Sequence, residues 1–341
     1  MPNDSISKIT RTRLEAYGLF DSKVIDAVSS QATVQQGFET YEALFKKVGV
    51  PLEPTLFITK KRKGVPLVDV DARETQEGVL VVHLPMGNSL DPNQLYQVAT
   101  LALAFPAYRI IAFGNPSGKP FAYKQENFSL ADWWRVAFTK KLRAAVGVEL
   151  EYLTSQRIEG AYQVGYSYGA LKALLAAYYA NPAQTKGLIL LDPVAHPRYP
   201  QQLLKDFTAT FKPLGEYVNR TKLQTFLDAR QDAVKFVHYS QGIMRPVNIA
   251  IGFMLARVDF VPLLTRTLQK HTDMTASVAW AGKSELGNDA HMATSLDMLN
   301  RDAAKGRVKA LRLKDDTHAF ANDVFLQVAI IKQALAERFV V

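Results

Sequence analysis

Six short apolar runs, each too brief for a core helix, limit how this chain can fold. They are Gly78-Val-Leu-Val-Val-His83, Tyr108-Arg-Ile-Ile-Ala-Phe113, and residues 161–166, 187–192, 277–281 and 308–313. Such runs read as strands covered on both faces. Helical patterns occupy 93–104, 129–154 and 168–179 between them, and 322–339 at the end. A strand–helix–strand rhythm of this kind implies an α/β fold class: a mostly parallel central sheet with helices on both faces. Residues 55–59 and 66–70 read as a hairpin ahead of the series.

Two stretches break the rhythm. In residues 1–54, Leu14, Ala16 and Leu19, then Val24, Ile25 and Val28, then Phe38, Tyr41, Leu44 and Phe45 recur at helical spacing, and Pro51 and Pro54 close the segment. This N-terminal helical extension fits either packing on the main domain or docking to a partner, a second copy included. Residues 194–272 offer no convincing core strand. Leu203, Leu204, Phe207 and Phe211 share one helical face, and Leu223, Phe226 and Leu227 another, which marks a helical insertion. The implied division is 1–54, a core in two parts at 55–193 and 273–341, and the insertion at 194–272.

Composition excludes several function classes. With 48% apolar and 21% charged residues the chain is expected to be ordered. It has no cysteine, so disulfides, thiolate metal sites and a cysteine nucleophile are excluded. That suits a reducing, cytoplasmic setting. The first residues lack the apolar core of a secretory signal, and no apolar run approaches the ~18 residues of a membrane span. Asn127-Phe-Ser and Asn219-Arg-Thr therefore carry no weight as glycosylation sites. The net charge is +9, and residues 194–272 hold eleven basic against five acidic residues. No compact basic stripe interleaves with aromatics, so no nucleic-acid partner is expected.

The sharpest motif is Gly165-Tyr-Ser167-Tyr-Gly169. A strand pattern precedes it and a strong helix former, Tyr168-Gly-Ala-Leu-Lys-Ala-Leu-Leu175, follows. Ser167 is thus expected at a sharp strand-to-helix turn, with glycines where a Cβ would clash. In this the chain resembles the α/β-hydrolase family over roughly residues 55–341, with Ser167 in the nucleophile-elbow position. The resemblance implies a nucleophile, an acid and a histidine in that chain order.

His318, between the 308–313 strand and the last helix, stands where the family keeps its general base. His83, at the end of an early strand, reads as a structural hydrogen-bonding residue. His196, His238 and His271 lie in the insertion, and His291 reads as a helix-surface residue. For the acid, Gly282-Lys-Ser-Glu285 matches the family's Gly-x-x-Asp spacing with Glu in place of Asp. Asp289 and Asp192 remain alternatives, Asp192 because some members take their acid after the preceding strand. The oxyanion hole falls to the backbone amides of Tyr168 and Met86. The segment reads His83-Leu84-Pro85-Met86 where many relatives have His-Gly; Pro85 has no N–H to give, so Met86 is the expected donor, with Leu84 behind it.

The resemblance places the insertion as a cap over the serine. Phe207, Phe211, Phe226, Phe236, Met244, Phe253 and Met254 could line its pocket or simply hold it together. The implied activity is that of a serine hydrolase on a carboxylic ester or thioester, needing neither metal nor cofactor. The expected partner is a small acyl substrate, an anionic one if the basic surplus of the insertion steers it. Acyl transfer, carbon–carbon bond hydrolysis and a non-catalytic binding or scaffolding role stay open on the same fold. Gly114-Asn-Pro-Ser-Gly-Lys119-Pro is one residue short of a phosphate loop and lacks its Ser/Thr, and no dinucleotide fingerprint or His-Glu-x-x-His is present.

Overall fold

The computed structural model of the chain describes residues 2–29, 41–60, 64–86, 90, 92–115, 130–139, 141–194, 196–210, 246–287, 289–304 and 306–336. Helices Pro2–Tyr17 (α1), Ser22–Ser29 (α2) and Tyr41–Val48 (α3) come first. Strands Thr55–Ile58 (β1), Gly64–Val70 (β2) and Gly78–His83 (β3) follow, then helix Pro92–Ala104 (α4) and strand Tyr108–Phe113 (β4). Helices Leu130–Phe138 (α5) and Gly147–Ser155 (α6) lead to strand Ala161–Tyr166 (β5), helix Tyr168–Tyr179 (α7) and strand Thr185–Leu191 (β6). Next are helices Pro200–Ala209 (α8), Pro246–Leu255 (α9) and Phe260–Lys270 (α10). Strand Thr275–Ala281 (β7), helix Asp289–Leu299 (α11), strand Val308–Leu313 (β8) and helix Val324–Ala336 (α12) complete the order.

The eight strands form one sheet in the order β1-β2-β4-β3-β5-β6-β7-β8. β2 runs antiparallel to both β1 and β4, and every neighbouring pair from β4 to β8 is parallel. The expected α/β class and mostly parallel sheet are therefore what the chain forms. Each strand sends alternate side chains to opposite faces. On β6, Ile189 and Leu191 enter a core shared with α4 and α12, whereas Leu188 and Leu190 enter one shared with α7, α10 and α11. Both faces are covered, which is why these strands read as unbroken apolar runs.

The helix expected over 129–154 is interrupted. α5 ends at Phe138, a 3-10 turn spans Leu142–Ala145, and α6 begins at Gly147. The Arg257 guanidinium donates to the carbonyls of Val136 and Thr139, both at 3.3 Å. Carbonyls freed at the helix end thus find a donor, and the break is satisfied.

In the segment 194–272, α8, α9 and α10 lie among the described residues and no strand does. Leu203 is buried, Phe207 is half-buried and Leu204 is exposed, so the expected apolar face of α8 is narrower than its sequence. Ile251 and Met254 of α9 pack into the core shared with α7. Phe211, Leu223, Phe226, Leu227, Phe236, His238 and Met244 lie outside the described residues, as do Phe38, Asn127, Asn219 and residues 116–120 of the phosphate-loop look-alike.

The N-terminal helices pack onto the main body. Leu14, Val24, Ile25, Val28, Leu44, Phe45 and Val48 join the core formed with α4 and α12. Polar ties reinforce this. Gln333 accepts from the Asp21 amide at 3.0 Å and donates back to the Asp21 carboxylate at 3.3 Å. Arg13 pairs with Asp323. Asp323 is buried, and its Oδ1 also accepts from the amides of Phe325 and Leu326 at 3.0 and 3.2 Å, capping α12. Replacing Arg13 by Met leaves that carboxylate without its cation. The Arg13→Met variant is expected to lose about 1–3 kcal/mol of stability, seen as a lower urea midpoint. An unchanged midpoint would show that Arg13 does not secure this face.

Candidate active site

The site is built where β5 turns into α7. Ser167 sits between them with φ +58° and ψ −122°, a conformation side-chain-bearing residues rarely hold. Its amide donates to Leu191 of β6 at 2.9 Å, which fixes the turn against the neighbouring strand. The flanking glycines are forced by contact. A Cβ on Gly165 would lie 2.1 Å from the Gly169 carbonyl oxygen, and one on Gly169 would lie 2.1 Å from that of His83. The turn therefore presses the start of α7 onto the ends of β5 and β3, and the serine hydroxyl stands clear at the sheet's C-terminal edge.

His318 opens the short 3-10 helix His318–Asn322 beyond β8. Its Nε2 is 3.0 Å from Ser167 Oγ, and its Nδ1 is 2.5 Å from Asp192 Oδ2. Ser167, His318 and Asp192 are all buried. A carboxylate only accepts, so Nδ1 carries the proton and the lone pair of Nε2 faces the serine hydroxyl. Such an arrangement can take a proton from the serine and hold the resulting imidazolium beside a fixed negative charge.

Asp192 directly follows β6 and also has a positive φ, +40°. Its Oδ1 accepts from the Ala281 amide at 2.9 Å and its Oδ2 from the Ser284 hydroxyl at 2.6 Å. The end of β7 and the loop after it thus supply donors that orient the carboxylate following β6.

Glu285, the acid preferred from spacing, does not hold the imidazole. The residue that meets Nδ1 is Asp192. Glu285 is close by and half-buried; burial raises its carboxyl above the ordinary range, against the lowering pull of the backbone amides of Glu285 and His318. Asp289, the other alternative, is engaged elsewhere. It accepts from Trp280 Nε1 at 2.9 Å and from Arg312 Nε at 2.8 Å.

Tyr168 is the first residue of α7, so its amide has no acceptor within the helix. Met86 lies in the turn after β3, half-buried and packed on the α7 side of the sheet. Tyr166 carries no weight in the sequence reading. Its hydroxyl donates to the His318 carbonyl at 2.8 Å, and its ring lies 5.0 Å from the imidazole, so it braces the histidine loop. The final aromatic of a strand entering Gly-x-Ser-x-Gly was the available signal for it.

The remaining histidines are spread out. His83 is buried, with Nε2 2.8 Å from Gln163 Oε1. His271 caps the end of α10, and His291 lies on α11. His196 follows β6, and its Nδ1 accepts from Arg198 at 3.0 Å. Arg198 also donates to the Leu286 carbonyl at 2.6 Å, tying this segment to the loop after β7. Among the described residues no group of three or more His, Asp or Glu side chains is placed to hold a metal ion. None of the described helices is long and apolar enough to cross a membrane.

No family model matches the chain, and no curated protein matches it. Solved structures do. An α/β-hydrolase enzyme from a Medee basin deep-sea metagenome library superposes with a TM-score of 0.56 at 12% identity, covering 84% of this chain and 98% of that one. A lipase in its open form gives 0.54 at 15% identity, over 84% of this chain and 100% of the other. A Pyrococcus furiosus esterase gives 0.53 at 12% identity, over 85% and 92%. What they share with this chain is the architecture.

Burial, and then the neighbouring Arg198 charge, bring the His196 pKa down to about 4. The unfolded chain takes up that proton near pH 6.5, the folded one only near 4. The stability owed to a neutral His196 is complete above about pH 6.5 and is lost as the pH falls toward 4. Urea midpoints of wild type and His196→Asn, compared from pH 7 to 4, should show the wild type losing ground through that window. A constant difference would mean the ring is not held neutral.

Proposed function

On the α/β-hydrolase fold that this chain has, we propose that it is a serine hydrolase cleaving a carboxylic ester or thioester. One observation carries the reading: the His318 imidazole lies between Ser167 Oγ at 3.0 Å and Asp192 Oδ2 at 2.5 Å. The pairing joins residues 151 and 126 positions apart in the chain.

In this reading His318 Nε2 takes the hydroxyl proton as Ser167 Oγ attacks the substrate carbonyl. Asp192 keeps the imidazole in the required tautomer and stabilises its positive form. Negative charge develops on the carbonyl oxygen, and the amides of Tyr168 and Met86 receive it. The imidazolium then protonates the leaving alcohol or thiol. Water, deprotonated by the same Nε2, releases the acid from the acyl-enzyme and restores the serine. The basic surplus of the sequence 194–272 favours an acyl substrate with a negative group. Turnover of that substrate then falls with ionic strength more steeply than turnover of a neutral ester of matched size; equal salt dependence would remove the preference.

A fluorophosphonate is expected to label the wild type at Ser167 and to leave Ser167→Ala unlabelled. The variants His318→Ala and Asp192→Asn are expected to lose about 10⁴-fold in turnover of a p-nitrophenyl ester, because triad members act as a unit. Glu285→Gln should retain most activity, since no reacting proton passes through it. A folded wild type that takes no label would sink the hydrolase reading. A Glu285→Gln loss equal to that of Asp192→Asn would return the acid role to Glu285.

A further inference from the structure

Beneath the site lies a set of charged and polar side chains that the proton path above does not use. Lys172 and Glu149 are 1% and 0% exposed. Lys172 stands on α7 four residues after Tyr168, and its Nζ is 2.5 Å from Glu149 Oε1 on α6. Glu149 Oε2 lies 3.1 Å from His83 Nδ1, at the end of β3. Burial alone would raise the Glu149 carboxyl, yet Lys172 and His83 outweigh it and hold the group below the ordinary range. Lys172 Nζ also donates to Asn115 Oδ1 at 3.1 Å.

Asn115 lies two residues past β4 and is buried. An ammonium can only donate, so the oxygen of the Asn115 amide must face Lys172 and its NH₂ must face away. That NH₂ donates to the Leu84 carbonyl at 3.1 Å and to the Pro85 carbonyl at 2.5 Å. The Pro85 carbonyl and the Met86 N–H belong to one planar peptide unit, and in a trans unit they point in opposite directions. Fixing the carbonyl therefore aims the N–H.

We propose that Asn115, oriented by the Lys172–Glu149 pair, is the positioning residue that sets the Met86 amide in the oxyanion hole. The proposal rests on the serine-hydrolase reading. Its geometry also links the two oxyanion donors. Tyr168 and Lys172 are one helical turn apart on α7, and the chain Lys172–Asn115–Pro85 reaches the second donor through side chains held at fixed distances. Apolar residues of equal volume could fill this space without the desolvation of two charges. They could not hold two carbonyls of a loop that, with Pro85, has given up one of its own donors.

Asn115→Asp tests this directly. It keeps the shape and an acceptor for Lys172, and it replaces the NH₂ donor by an oxygen that repels both carbonyls. Turnover of a p-nitrophenyl ester is measured per site titrated with a fluorophosphonate, so that any inactive fraction drops out. The expected result is a kcat loss of about 10- to 100-fold. KM and the pH profile of kcat/KM should remain unchanged. Affinity for a trifluoromethyl ketone, whose adduct carries the oxyanion, should weaken by the same factor as kcat. Wild-type kcat per titrated site, or lower kcat with undiminished ketone affinity, would overturn the proposal. Should Asn115→Asp not fold, Asn115→Ala removes the same donor and is judged by the same two measurements. A wild type that neither hydrolyses the ester nor takes label at Ser167 removes the hydrolase reading and this proposal together. An active wild type matched by Asn115→Asp removes this proposal alone.

Discussion

The structure depends on a close backbone crossing. At Gly165 and Gly169 the turn into α7 comes so near β5 and the end of β3 that even one added carbon would overlap a carbonyl oxygen. Close packing makes such a contact all-or-none, because a rigid interior cannot shift several tenths of an ångström at one point alone. With α7 seated there, Ser167 holds its positive-φ conformation, and its hydroxyl meets the His318 imidazole at the sheet edge. The same contact brings Tyr168 to the loop after β3 and places Lys172 beneath it. The Ser167 hydroxyl, the Tyr168 amide and the buried Lys172 cation thus have their positions set by a single approach of two backbones.

A parallel sheet converts that approach into a site. Strands β3 to β8 all end at one edge, so residues following β5, β6, β7 and β8 come together there although they are far apart in the chain. Asp192 follows β6, His318 follows β8, and the Ser284 hydroxyl after β7 orients the Asp192 carboxylate between them. Asp192 and His318 meet across the end of β7, because β6, β7 and β8 lie side by side in the sheet. Asp192 holds the position by pointing its Oδ2 at Nδ1 while its Oδ1 is anchored on the Ala281 amide. Glu285 turns toward the backbone of its own loop and of His318 instead.

Much of this was legible in the amino-acid order, and the parts that were not share a cause. The strands at 78–83, 108–113, 161–166 and 308–313 appear at the expected positions, because burial on both faces leaves a continuous apolar run. Helix α7 likewise appears at its expected bounds. The expected helix over 129–154 failed, since apolar periodicity continues through a break that Arg257, more than a hundred residues away, satisfies. That Asp192, an alternative to the Glu285 preferred from spacing, is the carboxylate meeting the imidazole has a similar reason. Spacing after β7 is a local signal, whereas the direction of the Asp192 side chain is set by the amide and hydroxyl of another strand's loop. Ser167 and His318, which the structure brings within 3.0 Å of each other, each sit at a junction that local pattern marks.

The buried charges show how a local signal can be read further. Tyr168-Gly-Ala-Leu-Lys-Ala-Leu-Leu-Ala-Ala has apolar residues on every side of the helix, with Lys172 as its single charge. A helix apolar all round is covered all round. A lysine in its middle is therefore buried, and a buried ammonium requires a carboxylate and further acceptors. Glu149 sits among Val148, Leu150, Tyr152 and Leu153 on a helix whose other acid, Glu151, is exposed. Distance identifies Glu149 as the carboxylate that meets the Lys172 ammonium. Distance then identifies the third member, Asn115, which no periodicity marks because it lies in a loop and has an ordinary turn-residue identity. The orientation of its side-chain amide follows from which neighbour can only donate and which can only accept.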